Sequence, residues 1–178
     1  KELHLDENNG ILISYNGAVV SNAQTKEVYF SNLLNKDRAI DLVKHLKKFP
    51  GLVPVLEEGE YVICEDCFND TILYKGKDFK VLQYEARMNS MMIHEVRSLE
   101  SYLDHDTYKV LTYGNPDYLR TNEKQIAEGF DDVNHMFSAD FYYEFTAMNI
   151  DKLEAFKKSF DYKPEEVMAF GDAGNDLS

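Results

Sequence analysis

The sequence predicts an α/β fold: α/β at both ends of the chain, with an α+β stretch between them. Three observations carry this expectation. Residues 11–20 (ILISYNGAVV) begin as a continuous apolar run and break at Asn16-Gly17, as a strand buried on both faces ends in a turn. Near the other end, residues 151–160 have helical spacing and are followed after Pro164 by the apolar run Val167-Met168-Ala169-Phe170, so helix passes to strand without a hairpin-length turn, as in a parallel crossover unit. Between these ends, short strand patterns and amphipathic segments alternate, with no internal repeat and no low-complexity linker.

The elements follow in order. Residues 26–30 (KEVYF) alternate like a short edge strand. Residues 35–49 place Ile40, Val43, Leu46 and Phe49 on one helical stripe, stopped by Pro50-Gly51, which predicts a surface helix packed by one face. Residues 52–56 and 61–64 read as strands around a turn at Glu58-Gly59, and residues 66–80 as loop with a short apolar piece at Ile72-Leu73-Tyr74. Residues 84–103 fit neither period cleanly. Met88, Met91 and Met92 fall near helical spacing there, the pattern of flexible core filler. Residues 108–113 (YKVLTY) form a strand, and Asn115-Pro116 supplies an N-cap and first-turn proline for a helix to about residue 130. Residues 133–138 and 141–146 are two more strands, and the helix 151–160 should turn Leu153, Phe156 and Phe160 inward.

Composition narrows the functions. The chain has 178 residues, with 19 Lys+Arg against 32 Asp+Glu and a formal net charge of −13. That balance argues against nucleic acid and anionic membrane surfaces, because both require clustered cations. No apolar run approaches the ~18 residues of a spanning helix, and the first residues lack the basic-then-apolar order of a signal peptide. A cytoplasmic location is expected, and the two cysteines, Cys64 and Cys67, suit a reducing compartment. The chain starts at Lys1 without a methionine and stops at Ser178 just after a Gly/Asp/Asn-rich turn, so it is read as a piece of a longer protein.

The sharpest chemical signal is Gly171-Asp172-Ala173-Gly174-Asn175-Asp176, directly after the apolar run 167–170. Ligands in open α/β sheets bind beyond the carboxyl ends of strands, and two carboxylates with a carboxamide are hard oxygen donors suited to Mg²⁺. Taken alone, the same residues make an acidic turn. Lys152 stands 20 residues before Asp172, in the first turn of the preceding helix. A cation there opposes the helix dipole, and a bound phosphate would remove the conflict; the bland alternative is a solvated surface lysine.

With these residues in view, the sequence resembles the haloacid dehalogenase superfamily of phosphatases, specifically the Cof-type branch with a large α/β cap. Residues 167–176 look like that family's fourth motif. Lys152 falls at its third-motif lysine, although Leu153 stands where glycine is usual. Residues 13–18 (ISYNGA) look like the Asn-Gly-Ala turn that leaves the core for the cap, and residues 141–145 (FYYEF) like the strand that returns. The resemblance implies a partial Rossmann-like hydrolase core interrupted by an inserted α+β cap: residues 1–30 and 148–178 as core segments and 31–147 as cap. It implies a Mg²⁺-dependent phosphatase of small phosphomonoesters working through a phospho-aspartate. In that scheme Asp172 and Asp176 serve the metal, Lys152, Asn175 and Asp176 serve catalysis, and Asn16 and Lys152 contact substrate. The partner is then a small phosphorylated molecule.

The family's nucleophile motif, Asp-x-Asp-Gly-Thr, does not occur in the sequence, so the nucleophile is expected outside it and the fragment alone is expected to be inactive. Asp104-His105-Asp106-Thr107 mimics part of that motif but precedes its strand, as a loop would. Cys64 and Cys67 have zinc or redox spacing, yet no second cysteine pair exists and Glu65 and Asp66 disfavour thiolate. Lys75, Lys77, Lys80 and Arg87 are candidate substrate selectors, or simply a solvated basic loop. Two alternatives stay open: a phosphomutase or sugar-phosphate phosphatase of a neighbouring branch, and a non-catalytic cap-type binding module.

Overall fold

The computed structural model describes residues 4–8, 10–161 and 163–168. The chain is mixed α/β and divides into two compact units, one made of residues up to Leu33 together with those from Ala147 onward, the other of Leu34–Thr146.

In the first unit, β1 (Ile11–Ser14), β2 (Val19–Asn22) and β3 (Val28–Ser31) form an antiparallel meander in that order. The first strand is half-buried throughout rather than covered on both faces. Among the described residues it is the edge strand of a three-stranded sheet. The expected edge strand at KEVYF is β3, whose Val28 and Tyr29 are exposed.

The second unit opens with α1 (Lys36–Leu46), β4 (Val53–Glu58) and β5 (Tyr61–Cys64). Asn35 caps α1, its side-chain oxygen accepting from the Asp37 and Arg38 amides, and Gly59 supplies a left-handed residue (φ 61°) for the β4–β5 turn. Next come the hairpin β6 (Thr71–Tyr74) and β7 (Lys77–Lys80), α2 (Val81–Met88), β8 (Met92–Glu95) and α3 (Leu99–Tyr102). The unit closes with β9 (Val110–Tyr113), α4 (Pro116–Ala127), β10 (Val133–Ala139) and β11 (Tyr142–Ala147).

Six strands make one sheet in the order β10-β11-β9-β4-β5-β8; β11 and β4 both run antiparallel to β9, β5 antiparallel to β4, and β8 parallel to β5. The central strand β9 is fully buried and feeds two cores by its pleat. Val110 joins Leu42, Leu46, Leu56, Leu99, Leu119 and Phe145 beneath α1, α3 and α4, while Leu111 and Tyr113 face Val55, Val62, Ile72, Val81 and Leu82 beneath α2 and the hairpin.

Two expectations in this unit change. The stretch read as loop, residues 66–80, contains the β6–β7 hairpin, whose turn is built on Lys75 and Gly76 at positive φ. The methionines are not a core cluster: Met88 and Met92 are exposed, and only Met91 packs against the second core. Met88 ends α2 and Ser90 (φ 56°) turns the chain, so the three never share a helix face.

Back in the first unit, α5 (Lys152–Ser159) is capped by Asp151, whose Oδ1 accepts from the Glu154 amide at 2.7 Å. Ala155 is buried and Phe156 and Phe160 are half-buried, but Leu153 is 41% exposed. Leu153 lies about 200° around the helix from Ala155, nearly on the side opposite that buried position. A short 3-10 turn follows at Pro164–Glu166. Val167 and Met168 are exposed and carry no strand, and Ala169 and Phe170, with the rest of the expected crossover strand, lie outside the described residues. Among the described residues β1 pairs only with β2, antiparallel.

Candidate functional site

Three of the residues singled out by sequence, Asp172, Asn175 and Asp176, lie outside the described residues. The other two, Asn16 and Lys152, are brought together. After β1 the chain makes a 3-10 turn at Tyr15–Gly17 in which Tyr15 (φ 52°), Asn16 (φ 57°) and Gly17 (φ 106°) are all left-handed. Such a run is strained for side-chain-bearing residues and is held only where the surroundings dictate it. Here the surroundings are the start of α5. A Cβ added to Gly17 would sit 2.3 Å from the Asp151 carbonyl oxygen and 3.1 Å from the Lys152 amide nitrogen, so only glycine lets the turn touch the helix.

Lys152 is the first residue of α5 and half-buried. The side chain of Asp151 occupies the Glu154 amide. The turn is fixed from its other side by Asn32, whose amide nitrogen donates to the Ala18 carbonyl at 2.8 Å and whose side chain donates to the Met148 carbonyl at 3.0 Å. A left-handed asparagine and a lysine at a helix start thus share one small region, where a phosphate oxygen could take both an N–H donor and a charge.

The remaining candidates separate. Lys75, Lys77, Lys80 and Arg87 are all exposed. Among the described residues no group of three or more His, Cys, Asp or Glu side chains is arranged to hold a metal ion. Cys64 is buried, and burial, with Cys67 and nearby carboxylates, pushes its thiol up to about 12; the Cys67 thiol is raised by its hydrogen bond to Glu95. Both thiols therefore stay protonated at neutral pH. The loop 104–107 has structural tasks: His105 bonds Asp104 at 2.6 Å and Glu58 at 3.1 Å, and Asp106 accepts from the Lys36 amide at the start of α1.

One constellation escaped the sequence reading. On the α2 side of the sheet in the second unit, a cleft of about 460 Å³ opens over Val55, Val62 and Leu111. At one end Lys109, almost wholly buried, is 2.6 Å from Glu57 and 3.4 Å from Glu144. Burial alone would lower the lysine pKa, but the two carboxylates outweigh it and hold the pKa above the ordinary value. On the wall, the Tyr142 hydroxyl is raised by burial and by its hydrogen bond to Glu85, which also accepts from Asn89 at 2.6 Å. The available signal was a charge inside each of two apolar strands, YKVLTY and YYEF. Extending the β4–β9 register by one residue puts Lys109 opposite Glu57.

Comparison with known proteins places the chain. The family model for haloacid dehalogenase-like hydrolases matches residues 1–178. The chain belongs to the haloacid dehalogenase-like hydrolases. A Streptococcus pyogenes serotype M6 protein that carries a provisional phosphatase name is 26% identical over 99% of this chain and 63% of its own length. The chain thus spans less than two thirds of that curated relative. Among solved structures, a haloacid dehalogenase-like hydrolase from Bacteroides thetaiotaomicron superposes with a TM-score of 0.73 at 22% identity, over 86% of this chain and 54% of that one. A subclass IIB sugar phosphatase of the same superfamily gives a TM-score of 0.66 at 17% identity, over 96% of this chain and 61% of that one. At these identities the structural likeness speaks for the fold of this family member.

Proposed function

We propose that this chain is part of a Mg²⁺-dependent phosphatase that hydrolyses small phosphomonoesters of the sugar-phosphate type in the cytoplasm, with residues 31–147 as cap and 1–30 and 148–178 as core segments. The observation that carries the reading is the packing of the Asn16-Gly17 turn against the N-terminus of α5, which sets Asn16 beside the start of the lysine helix. Family membership of the whole chain supports it, as does the phosphatase name of the curated relative. No helix among the described residues is long and apolar enough to cross a membrane.

In this reading Lys152 holds the transferred phosphoryl group and offsets the repulsion between a phosphate dianion and a carboxylate nucleophile. Asn16 donates a hydrogen bond to the same group from a backbone fixed by its neighbours. The hard-oxygen donor set of Asp172 and Asp176, with Asn175 supporting the loop, fits Mg²⁺, and the ion when bound would neutralise charge on the phosphate oxygens. The aspartate nucleophile is assigned to residues outside these 178, because no Asp-x-Asp-Gly-Thr stretch occurs among them.

The test is a panel of sugar phosphates offered to the full-length protein with Mg²⁺ and with chelator. Release of inorganic phosphate that stops on chelation is expected. Movement of the phosphate to another position of the same sugar would replace the phosphatase by a phosphomutase. Release that survives chelation would remove the metal assignment.

A further inference from the structure

His105 sits between two carboxylates in the second unit. Its Nδ1 is 2.6 Å from Asp104 Oδ1 and its Nε2 is 3.1 Å from Glu58 Oε1. An ionised carboxylate only accepts, so both contacts are hydrogen bonds when both ring nitrogens carry a proton and the imidazole is a cation. Glu58 ends β4, its side chain 16% exposed, and it also accepts from the Tyr102 hydroxyl at 3.0 Å and the Thr107 hydroxyl at 3.4 Å. Thr107 is buried, and its amide and carbonyl exchange two hydrogen bonds with Leu34, the first residue of the unit. One residue earlier, Asp106 accepts from the Lys36 amide at the start of α1. The imidazolium therefore ties the end of β4 to a loop that in turn holds Leu34 and the first turn of α1.

Among the described residues, the titratable and charged groups around the ring are its chain neighbour Asp104, on which Lys36 of α1 also acts, Glu58 of β4, and Tyr102 of α3, with its ring 6.1 Å away. His94 of β8 lies behind Tyr102, at 5.8 Å from that ring. The Tyr102 hydroxyl is raised by burial and by Glu58, so it keeps its proton while the imidazole titrates. Chiefly through the hydrogen bond to Asp104, with Glu58 adding to it, the His105 pKa lies above its ordinary value. We propose that residues 104–107 form a proton-operated latch: the imidazolium clips Glu58 to the loop, and loss of one proton releases Glu58 and loosens the pairing of Thr107 with Leu34. Asp104 keeps the remaining proton because its contact is the shorter one. A lone pair on Nε2 then faces Glu58 Oε1, the oxygen that also receives the Thr107 hydroxyl. The stabilisation is complete below the unfolded value near ~6.5 and is lost as pH rises through the higher folded value.

The test follows the full-length protein from about pH 5 to about pH 9, a range that spans the titration of an imidazole. NMR of the His105 ring should give a midpoint above the ordinary ~6.5, and Asp104→Asn should bring it down. Over the same range the hydrogen-exchange protection of the Leu34 and Thr107 amides, corrected for the intrinsic pH dependence of exchange, should fall about fivefold, the worth of one half-exposed ion pair. His105→Gln keeps a donor but no titrating proton, so that protection should become independent of pH even though His94 still titrates. A His105 midpoint at or below the ordinary value, protection of both amides unchanged across the range, or an equal pH dependence in His105→Gln would each overturn the latch. Should His105→Gln fail to fold, Asp104→Asn carries the test: the loss of protection should move to lower pH together with the ring, and a loss at unchanged pH would overturn the proposal.

Discussion

Replacing Lys109 by methionine should cost the second unit about 3 kcal/mol, and the structure says why. The lysine side chain is 11% exposed, Glu144 5% and Glu57 27%. Methionine fills the stem volume but removes the charge, leaving Glu144 as a buried carboxylate with its neutralising partner gone. Breaking a buried pair in this way costs about 3–5 kcal/mol. The lower end applies because Glu57 reaches solvent and can relax outward. Urea unfolding measures this as a fall in midpoint at unchanged slope. Adding Glu144→Leu to Lys109→Met should recover at least about half of the loss, since the stranded charge is then gone. The alkaline side gives an independent reading. The folded lysine has a raised pKa, so its stabilisation is complete below the unfolded value near ~10.4 and disappears only as pH rises through the higher folded value. The wild-type midpoint should therefore fall at strongly alkaline pH by more than that of the variant. A Lys109→Met cost below about 1 kcal/mol, or a double variant no more stable than the single one, would refute the argument.

Three further outcomes are expected. Glu100, kept partly from water but held by Lys47 at 2.8 Å, has its pKa lowered to about 2; its stabilisation is present above the unfolded value and is lost as pH falls toward 2. Lys47→Met should remove about 1 kcal/mol at neutral pH, after solvent screening of a half-open pair, and flatten acid unfolding; an unchanged acid profile would contradict this. Gly17→Ala should cost about 2 kcal/mol or more, because the new Cβ meets the Asp151 carbonyl and φ is 106°, whereas Gly59→Ala, with φ 61° and open space around it, should cost about 1 kcal/mol. Equal costs by thermal unfolding would count against the close approach at Gly17. Finally, Cys64 and Cys67 should react slowly with alkylating reagents at neutral pH and carry no zinc in elemental assay; fast labelling or stoichiometric zinc would refute their assignment as protonated, structural thiols.

How much was legible in the sequence depended on whether a signal was local. Asn115 announces a helix start because an N-cap acts within three residues, and it caps as expected; Asn35, the first residue of the segment read as helix, caps α1 in the same way. The alternation of residues 141–146 marks a strand because side-chain period is a property of the strand itself. The β6–β7 hairpin was hidden because it is small and largely wet: Leu73 and the lysines are exposed, and its packed face of Ile72, Tyr74 and Phe79 is too short to make a strand-length pattern. Leu153 misled because an eight-residue helix packs through Ala155, a small side chain that carries little weight in a hydrophobic pattern. The cleft was illegible for a different reason. Lys109, Glu57 and Glu144 meet only through strand order β11-β9-β4, which joins positions dozens of residues apart. Of the catalytic assignment, the meeting of Asn16 with the Lys152 helix rests on tertiary packing at Gly17, and the metal loop rests on motif alone.

The central claim is that Lys152 holds a transferred phosphoryl group. Its most direct test is the rate of phosphate release by the full-length protein, compared with its Lys152→Ala variant under saturating Mg²⁺ and sugar phosphate, after both are shown to unfold at the same temperature. The account predicts a fall in kcat of about a hundredfold or more, the usual loss when one charge-stabilising group is removed from a transition state. A variant with undiminished kcat would contradict it.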